Sequence, residues 1–262
     1  MGRPLILLGN DDGHAAPGLG ALRSALAPMA DVVVCAPERN QSGVSHALTL
    51  AQVLRLRRVD EDVYAVDGTP ADCVYVALNA GARVLPRRPD LVLSGINAGP
   101  NLGVDIHYSG TVAVAREGAL RGIPSLAISM AVDADLRAAA SLGAGLACSL
   151  LGEAAKARLD GAAPLLNVNI PRGPARERCV TRLGRRTYDD AVVFRQDPRG
   201  QEYAWIGSAI LSFEGRDDPD CDTVAFQAGK VSVTPIVLYG SADAHREIAQ
   251  RVLDLQALVP ES

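Results

Sequence analysis

Followed by its hydrophobic and polar positions, the chain opens on a short apolar run, residues 4–8. The run breaks off at Gly9-Asn10-Asp11-Asp12-Gly13. A run without alternation suits a strand buried on both faces, as in a parallel sheet. Leu19, Leu22 and Leu26 then recur at helical spacing over 19–29, and Val32-Val33-Val34-Cys35 reads as a second buried strand. Strand, helix and strand within about thirty residues make a βαβ unit.

The alternation continues. Strands are predicted over 63–66, 91–93, 125–130 and 165–170, with helices over 70–80, 111–120 and 135–157 between them. Pro70 stands near a helix start and Asp72 in its first turn, where each is favoured. The prediction is an α/β fold: a Rossmann-like, mostly parallel sheet flanked by helices. Near residue 179 the pattern changes. Strand-like runs at 180–183, 203–206 and 230–236 have no helices between them. Turn-rich and acidic pieces at 196–200 and 214–222 separate them, the latter reading as a solvated loop. This predicts a C-terminal β-hairpin extension, followed by helical spacing over 242–258. The expected division is a catalytic domain over 1–178 and an extension with a terminal helix over 179–262.

Composition narrows the function. Hydrophobic residues make up 48% and charged residues 21% of the 262 positions, which excludes general disorder. The net charge of -4 gives no broad basic surface, so polymeric nucleic acid is not an expected partner. A small anionic ligand needs only a local site. The five cysteines include no CxxC pair, which speaks against zinc and against a disulfide framework. The first apolar run is too short for a secretory signal, and no stretch approaches a membrane span. The expectation is a cytoplasmic protein with no membrane partner. Lysine is nearly absent, with only Lys156 and Lys230.

In open α/β sheets, ligands bind beyond the carboxyl ends of the strands. Three polar, glycine-bearing loops follow predicted strands: 10–13, 36–43 and 94–101. Asp11 and Asp12 are adjacent carboxylates at such an end. Two readings stand: one caps the next helix while the other is solvated, or both meet a divalent cation that cancels their repulsion. With Ser42 and Asn97 the candidate donors are all oxygen, which suits magnesium, manganese or calcium. Tyr108-Ser109-Gly110-Thr111 precedes a predicted helix. It is either an ordinary N-cap or an anion cradle of free N–H groups. No Walker loop occurs, and neither lysine is near these loops.

These motifs together resemble the SurE survival-protein family. They are Asn10-Asp11-Asp12-Gly13, Ala36-Pro37 through Ser42-Gly43, Gly68 to Val74, Ser94 to Gly103, and Tyr108 to Val112. Further matches run over 166–171, 197–200 and 231–235. The resemblance implies a metal-dependent 5'/3'-nucleotidase. It implies one divalent metal per subunit, magnesium or manganese, with calcium able to take the site in a crystal. The implied ligands are Asp11, Asp12, Ser42 and Asn97. It also implies a Rossmann-like domain whose smaller extension exchanges between subunits, giving a homodimer or homotetramer. His14, His107 and Gly9 depart from the common family pattern without touching the four ligands.

The expected reaction is hydrolysis of a nucleoside monophosphate to nucleoside and phosphate, with short polyphosphate as a further substrate class. Asp11 and Asp12 are the expected catalytic residues, and Asn97, Ser109, Gly110 and Thr111 the expected phosphate site. Water attack and an acyl-phosphate on Asp11 are both open routes. His46 is the first of the four histidines to consider as an acid or base, beside His14, His107 and His245, although a structural role is the better reading of each. The alternative class is a non-catalytic, magnesium-binding phosphoacceptor or nucleotide-binding regulatory module. With few aromatics, Tyr108 and Tyr203 are weak candidates for stacking on a base.

Overall fold

A computed structural model describes residues 2–156, 163–173, 177–189, 192–207, 209–214, 218–239 and 250. Its centre is a nine-stranded sheet in the order β3-β4-β2-β1-β5-β6-β7-β13-β8. Six of these strands run parallel: β1 (Leu5–Gly9), β2 (Asp31–Pro37), β4 (Val63–Val66), β5 (Leu91–Ala98), β6 (Ser125–Met130) and β7 (Leu165–Ile170). One edge strand, β3 (Leu56–Asp60), is antiparallel to β4. At the other side β13 (Val231–Pro235) runs antiparallel to β7, and β8 (Arg178–Val180) pairs with β13.

Every residue of β1 is buried, and the reason is visible in the two faces. Ile6 and Leu8 pack with Leu19, Leu22 and Leu26 of α1 (Pro17–Leu26) and the alanines of α4 (Leu136–Lys156). Leu5 and Leu7 pack on the opposite face with Cys73, Val74 and Ala77 of α2 (Pro70–Asn79) and Val114 of α3 (Gly110–Leu120). Two helical layers cover one strand, so an unbroken apolar run is what the site requires. Each fully buried leucine contributes about 1.5–3 kcal/mol of transfer free energy.

Helix α2 starts where the sequence predicts. Thr69 and Asp72 form a reciprocal capping box, with Pro70 in the first turn. Asp72 also accepts from Thr49 N at 2.9 Å and Thr49 Oγ1 at 2.6 Å, which pins the loop at 45–49 to the helix start.

The extension contains two antiparallel pairs. β9 (Arg185–Asp189) pairs with β12 (Ala209–Glu214), and β10 (Val192–Gln196) pairs with β11 (Glu202–Ile206). The turn at 196–200 is as predicted: Asp197 Oδ1 accepts from Arg199 N and Gln201 N. Three expectations need correction. The run at 230–236 is β13 and joins the main sheet, because its buried face completes the layer beside β7. The run at 180–183 keeps only its first residue in a strand, β8, plus a bridge from Arg182 to Cys221. The acidic run ends in a buried residue, not in solvent: Asp222 has no exposure and opens the short helix α5 (Asp222–Gln227). Residues 215–217, the helix expected over 242–258 and His245 lie outside the described residues. Among the described residues, no helix is long and apolar enough to cross a membrane.

Candidate active site at the sheet switch point

The chain runs from β1 outward through β2 to β4, then returns to place β5 on the other side of β1. Strand order therefore reverses between β1 and β5, where a crevice opens at the carboxyl ends. The register pairs Gly9 with Ser94. Asp12 and Asn97 each lie three residues beyond these paired positions.

Asn10 builds the turn after β1. Its Nδ2 donates to Gly13 O at 2.9 Å, and its Oδ1 accepts from Gly13 N at 3.3 Å. Gly13 adopts a φ of 104°, a conformation that favours glycine. Asp11 is thereby turned inward and is only 4% exposed. Thr111 Oγ1 donates to Asp11 Oδ1, and the Gly110 and Thr111 N–H groups also face the carboxylate. The first turn of α3 therefore presents its positive end to Asp11. This approach depends on Gly110, where a Cβ would sit 2.6 Å from Asp11 Cβ and 2.9 Å from Pro70 Cγ.

Asp12 is half-buried and reaches the second loop. Asn40 Nδ2 donates to Asp12 Oδ1 at 3.3 Å, and Asn40 Oδ1 accepts from Ser42 N at 2.8 Å. Gln41 N donates to Asp11 O at 2.8 Å. Asn40 was not singled out by sequence, yet it couples the Asp12 carboxylate to the Ser42 backbone. Its amide carries one donor and one acceptor for this; only its place between Glu38 and Ser42 hinted at it. Asn97 is half-buried on the third loop, and its Nδ2 donates to Gly99 O at 2.7 Å. That contact turns the amide oxygen away from Gly99 as an acceptor.

Burial pushes the Asp11 carboxyl up, against the Thr111 and backbone donors that pull it down. Burial and then the Asp11 charge push Asp12 up. Burial raises both carboxyls, and at Asp12 the neighbouring Asp11 charge adds to it. A cation is the direct remedy, and the donor set of two carboxylates, one amide oxygen and one hydroxyl suits a hard divalent ion. Among the described residues, no three His, Cys, Asp or Glu side chains group as a metal site.

The structure assigns the remaining motif residues differently. Ser109 is the N-cap of α3, its Oγ accepting from Val112 N at 3.1 Å. Thr111 gives its hydroxyl proton to Asp11. The capping reading of this motif is thus realised, and what remains at the rim for an anion is backbone N–H. His46 Nε2 lies 2.9 Å from Glu117 Oε2, and Glu117 also takes Arg121 at 2.8 Å. That pair ties the His46 loop to α3. His14 is half-buried and donates its backbone N–H to Pro37 O. His107 and Tyr108 are exposed beside the rim, whereas Tyr203 lies on β11. Lys230 pairs with Glu177 at 2.8 Å. Asn101 links strand ends: Asn167 Nδ2 and Asn169 Nδ2 both donate to its carbonyl. A cavity of 540 Å³ lies between α4 and Pro171, lined by none of the candidate site residues.

Fold and site together define an α/β protein with a paired-acid, oxygen-donor corner at its sheet switch point. The family model for survival protein SurE matches residues 6–190. The chain belongs to that family. A 5'-nucleotidase SurE from Sorangium cellulosum (strain So ce56) is 59% identical over 249 residues, 94% of this chain and 95% of the relative. One from Geotalea daltonii is 45% identical over 89% of this chain and 92% of the relative. The crystal structure of a SurE protein from Aquifex aeolicus superposes with a TM-score of 0.80 at 40% identity, covering 96% of this chain and all of that one.

Proposed function

We propose that this chain is a nucleotidase, a hydrolase of phosphoric monoesters that converts nucleoside monophosphates to nucleoside and phosphate. The observation that carries the reading is the pair of crowded carboxylates at the switch point, one of them held by the start of a helix. The names of the two bacterial relatives support the substrate class.

In this reading Asp11, Asp12, Ser42 and Asn97 hold one divalent metal, magnesium or manganese. When bound there, such an ion would supply positive charge beside a phosphoryl oxygen and lower the pKa of water at the site. Asp11 is fixed on one side by Thr111 and the α3 backbone, so its place is set before substrate arrives. The start of α3 at Ser109, Gly110 and Thr111, flanked by Asn97, is the side that receives the phosphate, favoured there by the positive end of the helix. Asp12, less buried than Asp11, orients the attacking water.

Residues 1–178 are read as the catalytic unit and 179–262 as the part through which copies assemble into a homodimer or homotetramer. Phe194, Trp205 and Ile206 support this, being 63%, 65% and 87% exposed on a two-stranded hairpin. Such a hairpin has little stability alone. The function is tested by phosphate release from AMP and GMP with Mn²⁺. Release is expected to vanish in EDTA and return when Mn²⁺ is restored. Absence of release from every nucleoside 5'- and 3'-monophosphate would sink the enzyme reading and favour a binding module.

A further inference from the structure

The extension meets the loop that leads to the candidate site, and part of that contact is built from buried charge. Asp105 lies on the loop between β5 and α3. Its backbone carbonyl accepts from Tyr108 N and Ser109 N, both at 3.0 Å, so it shapes the turn that delivers the α3 cap. Its carboxylate accepts from Leu102 N at 3.3 Å. The other partners come from β9: Arg186 Nη1 pairs with Oδ2, and Tyr188 OH donates to Oδ1. The Arg186 side chain is 9% exposed and that of Asp105 15%.

A second point of attachment lies beside the first. Asp222 accepts from Gly103 N at 2.8 Å and from Gly184 N at 2.9 Å. The two backbones are so close that a Cβ on Gly103 would sit 2.4 Å from Gly184 O. The same loop then carries Ser109, Gly110 and Thr111 to Asp11. It also receives the Ser42 loop, since Ser45 N donates to Tyr108 O at 3.1 Å and Ser45 Oγ to His107 O.

We propose that Arg186 and Tyr188 are positioning residues for the Asp11 centre: β9 holds Asp105, and Asp105 sets the turn that places Gly110 and Thr111 on Asp11. The inference rests on the nucleotidase reading of that centre. The extension then has a part in turnover besides assembly. Burial and the Asp105 carboxylate push the Tyr188 hydroxyl up to about 12, so it keeps its donated proton across the working range. Among the described residues Arg186 Nε is buried without a partner, so Asp105 fixes the guanidinium through Nη1. The ion pair and the phenol hold one carboxylate from both oxygens, a geometry that resists rotation of Asp105.

The test uses the full chain and four variants, with kcat and KM for AMP, Mn²⁺ binding by calorimetry and thermal unfolding. Arg186→Met is expected to lower kcat about 10- to 100-fold and to weaken Mn²⁺ binding. KM should stay within about threefold, because substrate contacts are not removed. Tyr188→Phe is expected to lower kcat by about 3- to 10-fold with little change in Tm. Arg182→Met breaks an exposed pair to Asp218 in the same extension and should leave kcat unchanged. Asp11→Asn is the control on the site itself. If it is inactive while Arg186→Met and Tyr188→Phe keep normal kcat and Mn²⁺ affinity, the positioning role is overturned, whatever happens to Tm. If Asp11→Asn turns over normally, the reading of the centre fails first. Should Arg186→Met not fold, Tyr188→Phe, which removes one hydroxyl, decides alone.

Discussion

Strands β1 and β10 are both short and both carry large apolar side chains, yet their surroundings are opposite. All five residues of β1 are buried, whereas all five of β10 are exposed. Helices lie on both faces of β1 and bring its apolar groups out of water. Among the described residues, the pair β10–β11 has no such cover. Val192, Val193 and Phe194 on one strand and Trp205 and Ile206 on the other remain in solvent. Apolar side chains thus stabilise the fold in one place and stay exposed in the other. What separates them is which layers the topology supplies.

The largest effect should come from testing that contrast directly. Leu7→Ala, at a fully buried position, is expected to cost about 2–5 kcal/mol in urea unfolding. Trp205→Ala is expected to change the unfolding of the monomer by no more than about 0.5 kcal/mol. It should instead weaken self-association, read by sedimentation across a concentration series. A large loss for Trp205→Ala in dilute, monomeric protein would erase the distinction between the two regions.

A smaller and more local effect is expected at the junction of sheet and site. Gly110→Ala forces a methyl group to within 2.6 Å of Asp11 Cβ. The expected result is a loss of phosphate release of about 100-fold, with the protein still folded by circular dichroism. Normal turnover in this variant would show that α3 need not approach Asp11 so closely.

The smallest effect concerns pH. Burial pushes the Glu117 carboxyl up, but hydrogen bonds from His46 and Arg121 and their charge bring it net below the usual carboxylate range. A depressed folded value means stability that is fully present above the unfolded value, about 4.3, and lost as pH falls through the folded one. Glu117→Gln is therefore expected to cost about 2 kcal/mol at pH 7. The gap from the native chain should close as both are titrated below pH 4. A gap that stays constant with pH would assign the cost to packing.

Much of the candidate site was legible because its signals are local. A buried run that ends in two acids and a glycine marks a strand end, and three such polar ends follow the strands of one sheet. Thr69 and Asp72 announce a helix start by their spacing alone. Other features were hidden because they join distant residues. His46 meets Glu117 across 71 positions, and Thr111 meets Asp11 across 100. No periodicity records such a meeting. Edge strand β3 was missed for another reason: Arg57, Arg58 and Asp60 are exposed, so it lacks the apolar pattern that reveals inner strands.

The sequence by itself determined the alternation of strands and helices, the parallel core and the rim on which Asp11, Asp12, Ser42 and Asn97 stand. Burial periodicity and strand-end chemistry are properties of neighbouring residues, and they survive any packing of the elements. Only the tertiary structure decided that Thr111 serves Asp11, that Asn40 couples Asp12 to the Ser42 loop, and that β9 reaches Asp105. Those contacts depend on how close two backbones come, which is set at Gly103 and Gly110 by the absence of a side chain.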